Sequence, residues 1–307
     1  MASHASTAEG AGTGRPARIL VPQTAGTTND LLARAIAPGL ALLAGRPFLV
    51  ENREGASGML GMDAAAKSAP DGLTLLNNVS NTLALPYFYK NLPFDVLADL
   101  EPVGIEGYGN HALVVHRSVP VENVRDFLAY AAEHPGMEYA APGLATHHHL
   151  CMAMIQAMAG IRLSPVFYKG SAGAMADLLR GEIRTMIVPI QIAADHARSG
   201  DLRILGATSR TPFPLYPDIS SLHDQGLAGF DVEPWFALWA PRGTPPDALA
   251  RYNALLNEAI GQAEVGGALA RHGVVPTPGT VDDLRRKAAA EHRMWGEVLR
   301  KMQIRPE

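Results

Sequence analysis

The sequence predicts an α/β protein in which helices flank mostly parallel sheets. Short apolar runs end in turn-forming residues and are followed by amphipathic stretches, and this alternation occurs in two series, beginning near Arg18 and Met137. Such alternation is typical of parallel sheets, because a helix carries the chain back to the start of the next strand. A length of 307 residues is enough for two domains with sizeable cores.

The first series begins with a strand, a tight turn and a helix start within a few residues. The run Arg18–Val21 is apolar and β-branched, and Pro22 ends it. Gly26 permits a turn with positive φ, and Thr27 with Asp30 approximates a capping box before a helix that we expect to end near residue 45. Such a loop directs backbone N–H groups and hydroxyls past the strand end, which favours an anion. The same spacing also fits an ordinary turn between a strand and a helix.

The bounds of the other predicted elements follow from proline and glycine residues that end an element and from polar residues that start a helix. The predicted strands are residues 48–51, 73–77, 111–116, 137–141, 164–167, 184–188, 203–208 and 232–240. The predicted helices are residues 61–68, 121–134, 147–159, 171–180, 192–199, 248–263 and 281–302.

Two side-chain patterns allow more than one interpretation. The run His147–His149 suggests a metal site, but consecutive helical residues point about 100° apart and cannot all face one ion. We favour a cluster at a helix start, with one histidine facing a cleft. Trp235 and Trp239 share one face of a predicted strand, where core or hinge packing is favoured over stacking on a ligand.

Composition and charge exclude several classes of protein. The formal net charge is -4, and no basic stripe with interleaved aromatic residues occurs, so we expect no nucleic-acid partner. The single cysteine, Cys151, lies in a helical apolar pattern that predicts a buried thiol. Residues 1–15 are predicted to be a disordered lead-in, and they lack the basic and apolar regions of a signal peptide.

Several short segments, taken in order, match a known family. They are Ile19–Asp30, Val50–Arg53 with Gly55 and Gly58, Ala69–Gly72 with Leu75 and Leu76, Tyr89–Pro93, Tyr168–Gly170, Asp177–Gly181, Trp235–Phe236 and Ala240–Pro245. Their joint order and spacing are specific, although each alone is weak. On these residues, the chain from about Arg15 to Ile304 resembles the periplasmic solute-binding receptors of tripartite tricarboxylate transporters, the Bug family.

The resemblance implies a two-lobed type II periplasmic binding protein, or Venus flytrap, in which each lobe is a mostly parallel sheet flanked by helices. We expect residues 16–117 and 230–307 to form lobe 1 and residues 118–229 to form lobe 2. The implied function is a non-catalytic receptor that binds a small organic carboxylate between the lobes and delivers it to membrane transporter subunits. We expect a periplasmic monomer without a cofactor or a bound metal.

The resemblance also implies which residues contact the ligand. In lobe 1 they are Gln23, Thr24, Ala25, Gly26, Thr27, Thr28, Asn29, Asp30, Ser80, Asn81 and Thr82. In lobe 2 they are Pro142, Gly143, Ala145, Thr146, His149, Tyr168, Lys169 and Gly170. Two helix N-termini would hold a carboxylate at each end through N–H groups, hydroxyls and water. Lys169 fits a cationic contact and a surface lysine equally well.

The ligand loops depart from the family pattern, which leaves the identity of the acid open. Gln23 replaces a common phenylalanine, and Thr27 and Asn29 fall where the family usually has smaller groups. The added amides favour a smaller or more hydroxylated ligand. In the second loop the usual serine is missing, and Pro142 removes one N–H donor.

The alternative is a cytoplasmic enzyme on the same scaffold that acts on a small carboxylic acid. The printed sequence has no signal region and its ligand loops are altered, and His149 or Asp30 could serve as the acid or base. Against this alternative, the sequence has no nucleophile–base pair, metal-ligand spacing or phosphate loop.

Overall fold

The structure, a computed structural model, describes residues 14–304 and Pro306. The predicted disordered lead-in lies outside the described residues, except for Gly14 and Arg15.

Strands and helices alternate along most of the described chain. The strands are β1 (Ala17–Val21), β2 (Phe48–Asn52), β3 (Thr74–Val79), β4 (Leu100–Gly109), β5 (His111–His116), β6 (Met137–Ala141), β7 (Leu163–Phe167), β8 (Thr185–Pro189), β9 (Leu202–Ala207), β10 (Trp235–Pro241) and β11 (Val274–Pro276). The helices are α1 (Thr28–Ala44), α2 (Met59–Ala66), α3 (Val124–Glu133), α4 (His147–Ala159), α5 (Ser171–Arg180), α6 (Ile190–Arg198), α7 (Pro246–Gly261), α8 (Ala263–Arg271) and α9 (Val281–Lys301). Short 3-10 segments occupy Ala56–Gly58 and Ser80–Tyr87.

The strands form two sheets, which are the cores of the two lobes. The first has the order β11-β4-β10-β3-β1-β2, and the second has the order β7-β6-β8-β5-β9. In the first sheet β1 is parallel to β2 and β3, whereas β10 is antiparallel to β3 and β4. In the second sheet β6 is parallel to β7 and β8, whereas β5 is antiparallel to β8 and β9. The α/β architecture is confirmed, but the sheets are mixed rather than mostly parallel.

The mixed pairing arises where the chain passes between the sheets. It leaves β4 at Gly109 and enters β5 at His111, and it returns to the first sheet at Trp235. Both β5 and β10 are therefore antiparallel to their neighbours. The position of β5 also corrects the expected lobe boundary, since residues 111–116 pair within the second sheet although the sequence placed them in lobe 1.

Asn110 joins the two segments that cross between the sheets. Its side-chain oxygen accepts hydrogen bonds from the His111 N–H at 2.8 Å and from the Thr208 hydroxyl at 2.9 Å. Its side-chain amide donates to the Ser209 hydroxyl. One buried asparagine therefore ties the outgoing segment to the returning segment at the hinge.

One apolar cluster is continuous across both lobes. It includes Leu76 and Trp235 from the first sheet and Val115 and Tyr139 from the second. Trp235 and Trp239 are buried, which confirms packing as their role. Cys151 is fully buried as predicted, and burial raises the pKa of its thiol. Within residues 14–304, no helix is both long and apolar enough to cross a membrane.

Candidate functional site

The first loop runs from the end of β1 to the start of α1, and Asp30 organises it. The carboxylate of Asp30 accepts hydrogen bonds from the Gly26 N–H at 2.9 Å, from Arg34 at 3.0 Å and from Asn52 at 2.9 Å. The predicted capping box is not formed, because Asp30 bonds to Gly26 and the Thr27 hydroxyl donates to the Thr24 carbonyl. Asp30 therefore fixes the shape of the loop.

Hydrogen bonds keep Asp30 ionised. Its side chain is buried, and burial alone would raise the pKa of the carboxyl. Hydrogen bonds from Arg34, the Gly26 N–H and Asn52, together with the charge of Arg34, outweigh that effect, so the pKa lies below its ordinary value. Each of these bonds comes from within lobe 1, so the carboxylate has a structural role in the first loop.

The amide side chains that depart from the family pattern bond to each other. Asn29 is buried, and its nitrogen donates to the Gln23 side-chain oxygen and to the Asn77 carbonyl at 2.9 Å. Gln23 is partly exposed, whereas residues 24–26 are exposed. The structure therefore leaves Gln23, and not Asn29, accessible to a ligand.

The second loop joins β6 to α4 and repeats the geometry of the first. Thr146 is the N-cap of α4, and its hydroxyl donates to the Gly143 carbonyl at 2.8 Å and accepts from the His149 N–H at 3.4 Å. Ala145 adopts a positive φ of 58°, which is uncommon for a residue with a side chain. Both loops thus lead into a helix N-terminus at the carboxyl end of a parallel strand, where unpaired N–H groups favour an anion.

The segment after β3 carries the three remaining lobe 1 residues. Asn81 donates from its amide to the Ala145 carbonyl of lobe 2 at 2.8 Å. The Ser80 hydroxyl lies 2.9 Å from Nε2 of His147, also in lobe 2. Thr82 is buried, and its hydroxyl bonds to the Val79 carbonyl and to Asn78, so the structure does not bring it to the cleft surface.

The turn after β7 lies beside the second loop. The Tyr168 N–H donates to the Ala141 carbonyl at 2.9 Å, and the Gly170 N–H donates to the Pro142 carbonyl at 3.2 Å. The Tyr168 hydroxyl donates to Asp177 at 2.8 Å, whereas Lys169 is exposed. The structure therefore brings this turn and the second loop together on one lobe, with the Tyr168 hydroxyl turned away into a bond with α5.

Four imidazoles are packed at the start of α4, and all are neutral at pH 7. His111 stacks on His147 with ring centres 5.8 Å apart and meets His148 edge-on at 5.1 Å. Burial lowers the pKa of His149 to about 4, and burial with the neighbouring His148 lowers the pKa of His147 to about 3. Burial also lowers the pKa values of His111 and His148.

These histidines have separate partners. The Nδ1 nitrogen of His148 donates to the Ile187 carbonyl, and His149 is enclosed by Phe88, Tyr139 and Phe167. Among the described residues, no group of histidine, cysteine, aspartate and glutamate side chains could hold a metal ion.

Sequence reasoning missed three residues at the site. His147 forms a contact between the lobes, and the histidine run was its only signal. Glu291 of α9 accepts hydrogen bonds from the indole N–H groups of Trp235 and Trp295, and nothing in its local sequence marks it. Phe167 is half-exposed at the end of β7 and meets His149 edge-on at 5.3 Å, so it offers an apolar surface beside the second loop.

Comparison with known proteins places this geometry in a family. Residues 32–304 match the tripartite tricarboxylate transporter family receptor, TctC. The chain is 34% identical to protein BugT of Bordetella pertussis over 289 residues, which cover 93% of this chain and 89% of the relative.

Solved structures agree with this assignment. The R. palustris protein Rpa4515 with adipate superposes with a TM-score of 0.87 at 29% identity, covering 96% of this chain and 99% of that one. MatC (Rpa3494) from Rhodopseudomonas palustris with bound malate has a TM-score of 0.84 at 26% identity, covering 94% and 99%. The fold is thus that of the two-lobed periplasmic binding proteins. The chain belongs to the tripartite tricarboxylate transporter receptor family.

Proposed function

We propose that this protein is a receptor that captures a small organic carboxylate between its lobes. The observation that carries the proposal is the convergence of two helix N-termini on the contact between the lobes. The first turn of α4 touches Ser80, and Asn29 of α1 bonds to the Asn77 carbonyl, three residues before Ser80. Neither Thr27 nor any other side chain caps α1, so its first N–H groups remain available to a carboxylate.

The chemistry of the cleft supports a dicarboxylate or a hydroxylated acid. Partial charges from two helices can hold two carboxylates without an arginine. Two relatives of known structure are described with adipate and with malate, both dicarboxylates. Gln23 offers an amide that suits a hydroxyl or a second carboxylate, and Phe167 offers an apolar contact for the chain between them.

We propose that the protein binds its ligand without catalysing a reaction on it. The two acid–base candidates have other tasks, since Asp30 is held by Gly26, Arg34 and Asn52. The His149 ring is enclosed by aromatic side chains, and its Nδ1 accepts from the Ala145 N–H. Neither group combines a shifted pKa with an open path to a substrate, which general acid–base catalysis requires.

The setting of the receptor is also part of the proposal. Family membership supports a periplasmic location and delivery of the ligand to membrane subunits of a tripartite transporter. We propose that the protein acts as a monomer whose closed, ligand-bound form is the species presented to those subunits. Closure is then a population shift driven by the higher affinity of the closed form for the ligand.

A ligand screen tests the function. Thermal-shift measurements at pH 7.5 with dicarboxylates, hydroxy acids and aromatic acids should show a rise in melting temperature with at least one acid. Mass spectrometry of the same wells should show the acid unchanged. Absence of stabilisation by every acid contradicts the receptor, and turnover of a bound acid contradicts the non-catalytic role.

A further inference from the structure

His147 is the side chain of lobe 2 that reaches Ser80 of lobe 1. It is the first residue of α4, its ring is buried, and its Nε2 lies 2.9 Å from the Ser80 hydroxyl. The adjacent Asn81 amide donates to the Ala145 carbonyl at 2.8 Å. Two consecutive residues of lobe 1 therefore bond to the first turn of α4 and the loop before it.

Ser80 is held in place by the start of β10. The Trp235 N–H points at the Ser80 oxygen at 3.5 Å. Glu291 of α9 accepts from the indole N–H groups of Trp235 and Trp295 and so fixes the same segment. The Ser80 hydroxyl and Nε2 of His147 share one hydrogen bond, whose direction depends on the imidazole tautomer.

We propose that His147 is a positioning residue that makes lobe closure, and therefore ligand affinity, depend on pH. The inference rests on the proposed function, because it assigns a controlling contact to the same cleft. Because Ser80 belongs to lobe 1 and His147 to lobe 2, lobe separation at this contact would break the bond and expose the imidazole to water. Closure buries the ring again and so selects its neutral form.

The groups that face His147 disfavour a charge on it in the closed form. His111 stacks on the ring from β5, and His148 lies beside it on α4, so a proton on one imidazole repels a proton on the others. The N-terminus of α4 adds its positive dipole end. Glu291 is the acidic group on the side of Trp235, and the indole N–H groups of Trp235 and Trp295 already donate to its carboxyl group, whose pKa burial raises.

The size of the effect follows from proton linkage. An imidazole in water has a pKa of about 6.5, whereas burial and His148 lower the pKa of His147 to about 3 in this structure, where the ring is bonded to Ser80. Closure therefore releases one proton below pH ~6.5, and affinity falls about tenfold for each further pH unit. Between pH 7.5 and pH 5.0 the dissociation constant should rise about 30-fold through this residue alone.

The variant His147→Gln tests the inference. The glutamine amide can donate to Ser80 from the position of Nε2 but does not titrate between pH 5.0 and 7.5. Calorimetry with adipate, or with malate if adipate does not bind, should give a steep pH dependence for the wild type and a much flatter one for the variant. The acid itself titrates in this range, but equally for both proteins, so the ratio of their affinities isolates His147. The exposed His134, changed to Gln, is the matched control and should keep the wild-type dependence.

Each outcome decides the inference. It is overturned if wild type and His147→Gln show the same pH dependence, or if the wild type shows none beyond that of the acid. If neither acid binds at pH 7.5, small-angle scattering of the ligand-free proteins decides instead. The wild type should expand between pH 7.5 and pH 5.0, whereas the glutamine variant should not, and equal expansion refutes the inference. His147→Asn replaces the glutamine variant if that protein does not fold.

Discussion

Glu106 is a fully buried carboxyl group that should make the stability of the protein fall as the pH rises. It lies on β4, and its Oε1 accepts one hydrogen bond from Asn77 at 2.7 Å. Its Oε2 has no partner among the described residues. Burial, only partly offset by the Asn77 bond, raises the pKa of this carboxyl to about 8. The side chain is therefore protonated in the native protein at pH 7.

The magnitude follows from the difference between the folded and unfolded pKa values. The unfolded chain releases the Glu106 proton near pH 4.5, whereas the folded protein keeps it until about pH 8. The folded state binds more protons between these values, so wild-type stability falls by about 1.4 kcal/mol for each pH unit in this window. The variant Glu106→Gln keeps an acceptor for Asn77 and has no proton to lose. Its stability relative to wild type should rise by about 2.5 kcal/mol between pH 5.5 and pH 7.5.

Urea unfolding of both proteins at pH 5.5, 6.5 and 7.5 measures this difference. Glu101→Gln is the matched control, because it removes a partly exposed glutamate from the same strand and should show no comparable trend. A constant difference between Glu106→Gln and wild type at the three pH values refutes the reasoning. A gain that shrinks as the pH rises refutes it as well, because the sign would be reversed.

Four further variants test the loops. Thr27→Val and Thr146→Val each remove a hydroxyl that fixes its loop through a bond to the Thr24 or the Gly143 carbonyl, so each should weaken carboxylate binding by about 1–3 kcal/mol in calorimetry. Thr280→Val, which removes the N-cap of α9, should leave affinity unchanged. Asp30→Asn should cost about 1–3 kcal/mol of stability at pH 7. Because the pKa of Asp30 is lowered in the folded protein, thermal melts should show that this cost disappears as the pH falls below about 4. Gly61→Ala places a Cβ 2.6 Å from the Arg53 carbonyl oxygen and 2.7 Å from the Cα of Pro22 in the first loop. This overpacking should lower stability by about 1–3 kcal/mol. Unchanged melting temperature and affinity would contradict that contact.

Elements bounded by local signals were predicted closely. Helix α4 was expected over residues 147–159 and is observed at His147–Ala159, because Thr146 caps its start and Gly160 ends it in a left-handed conformation. Strand β2 was expected over residues 48–51 and is observed at Phe48–Asn52. Such boundaries depend on a few adjacent residues, so a sequence pattern is enough to locate them.

Elements that depend on distant partners were missed. Strand β4 has ten residues, but Glu106 and the glycines at 104, 107 and 109 interrupt its apolar pattern. It exists because β10 and β11 pair with it on either side. The short β11 and the helix α8 before it were missed too, since a three-residue strand has no readable period. The antiparallel order has the same origin, because it follows from where the chain crosses between sheets.

The candidate site shows the same division between local and distant causes. The family motif located both loops, and the structure brings residues 142–146 and 168–170 together as expected. The tasks of individual side chains were not readable, because they depend on partners far along the chain. Ser80 bonds to His147, and Asp30 bonds to Asn52. The sequence therefore predicted which segments come together better than it predicted the partners of individual side chains.

The central claim is that two helix N-termini recognise carboxylates by their charge. Calorimetry at pH 7.5 with adipate and with its neutral diamide tests that claim most directly, with malate and its diamide as the second pair. Each pair matches shape and length and differs mainly in charge. The claim predicts that at least one dicarboxylate binds with micromolar affinity. Its diamide should bind at least about 100-fold more weakly, because each carboxylate that is replaced loses about 1.5–3 kcal/mol of charged hydrogen bonding. Equal affinity for an acid and its diamide, or no binding of either acid, would contradict it.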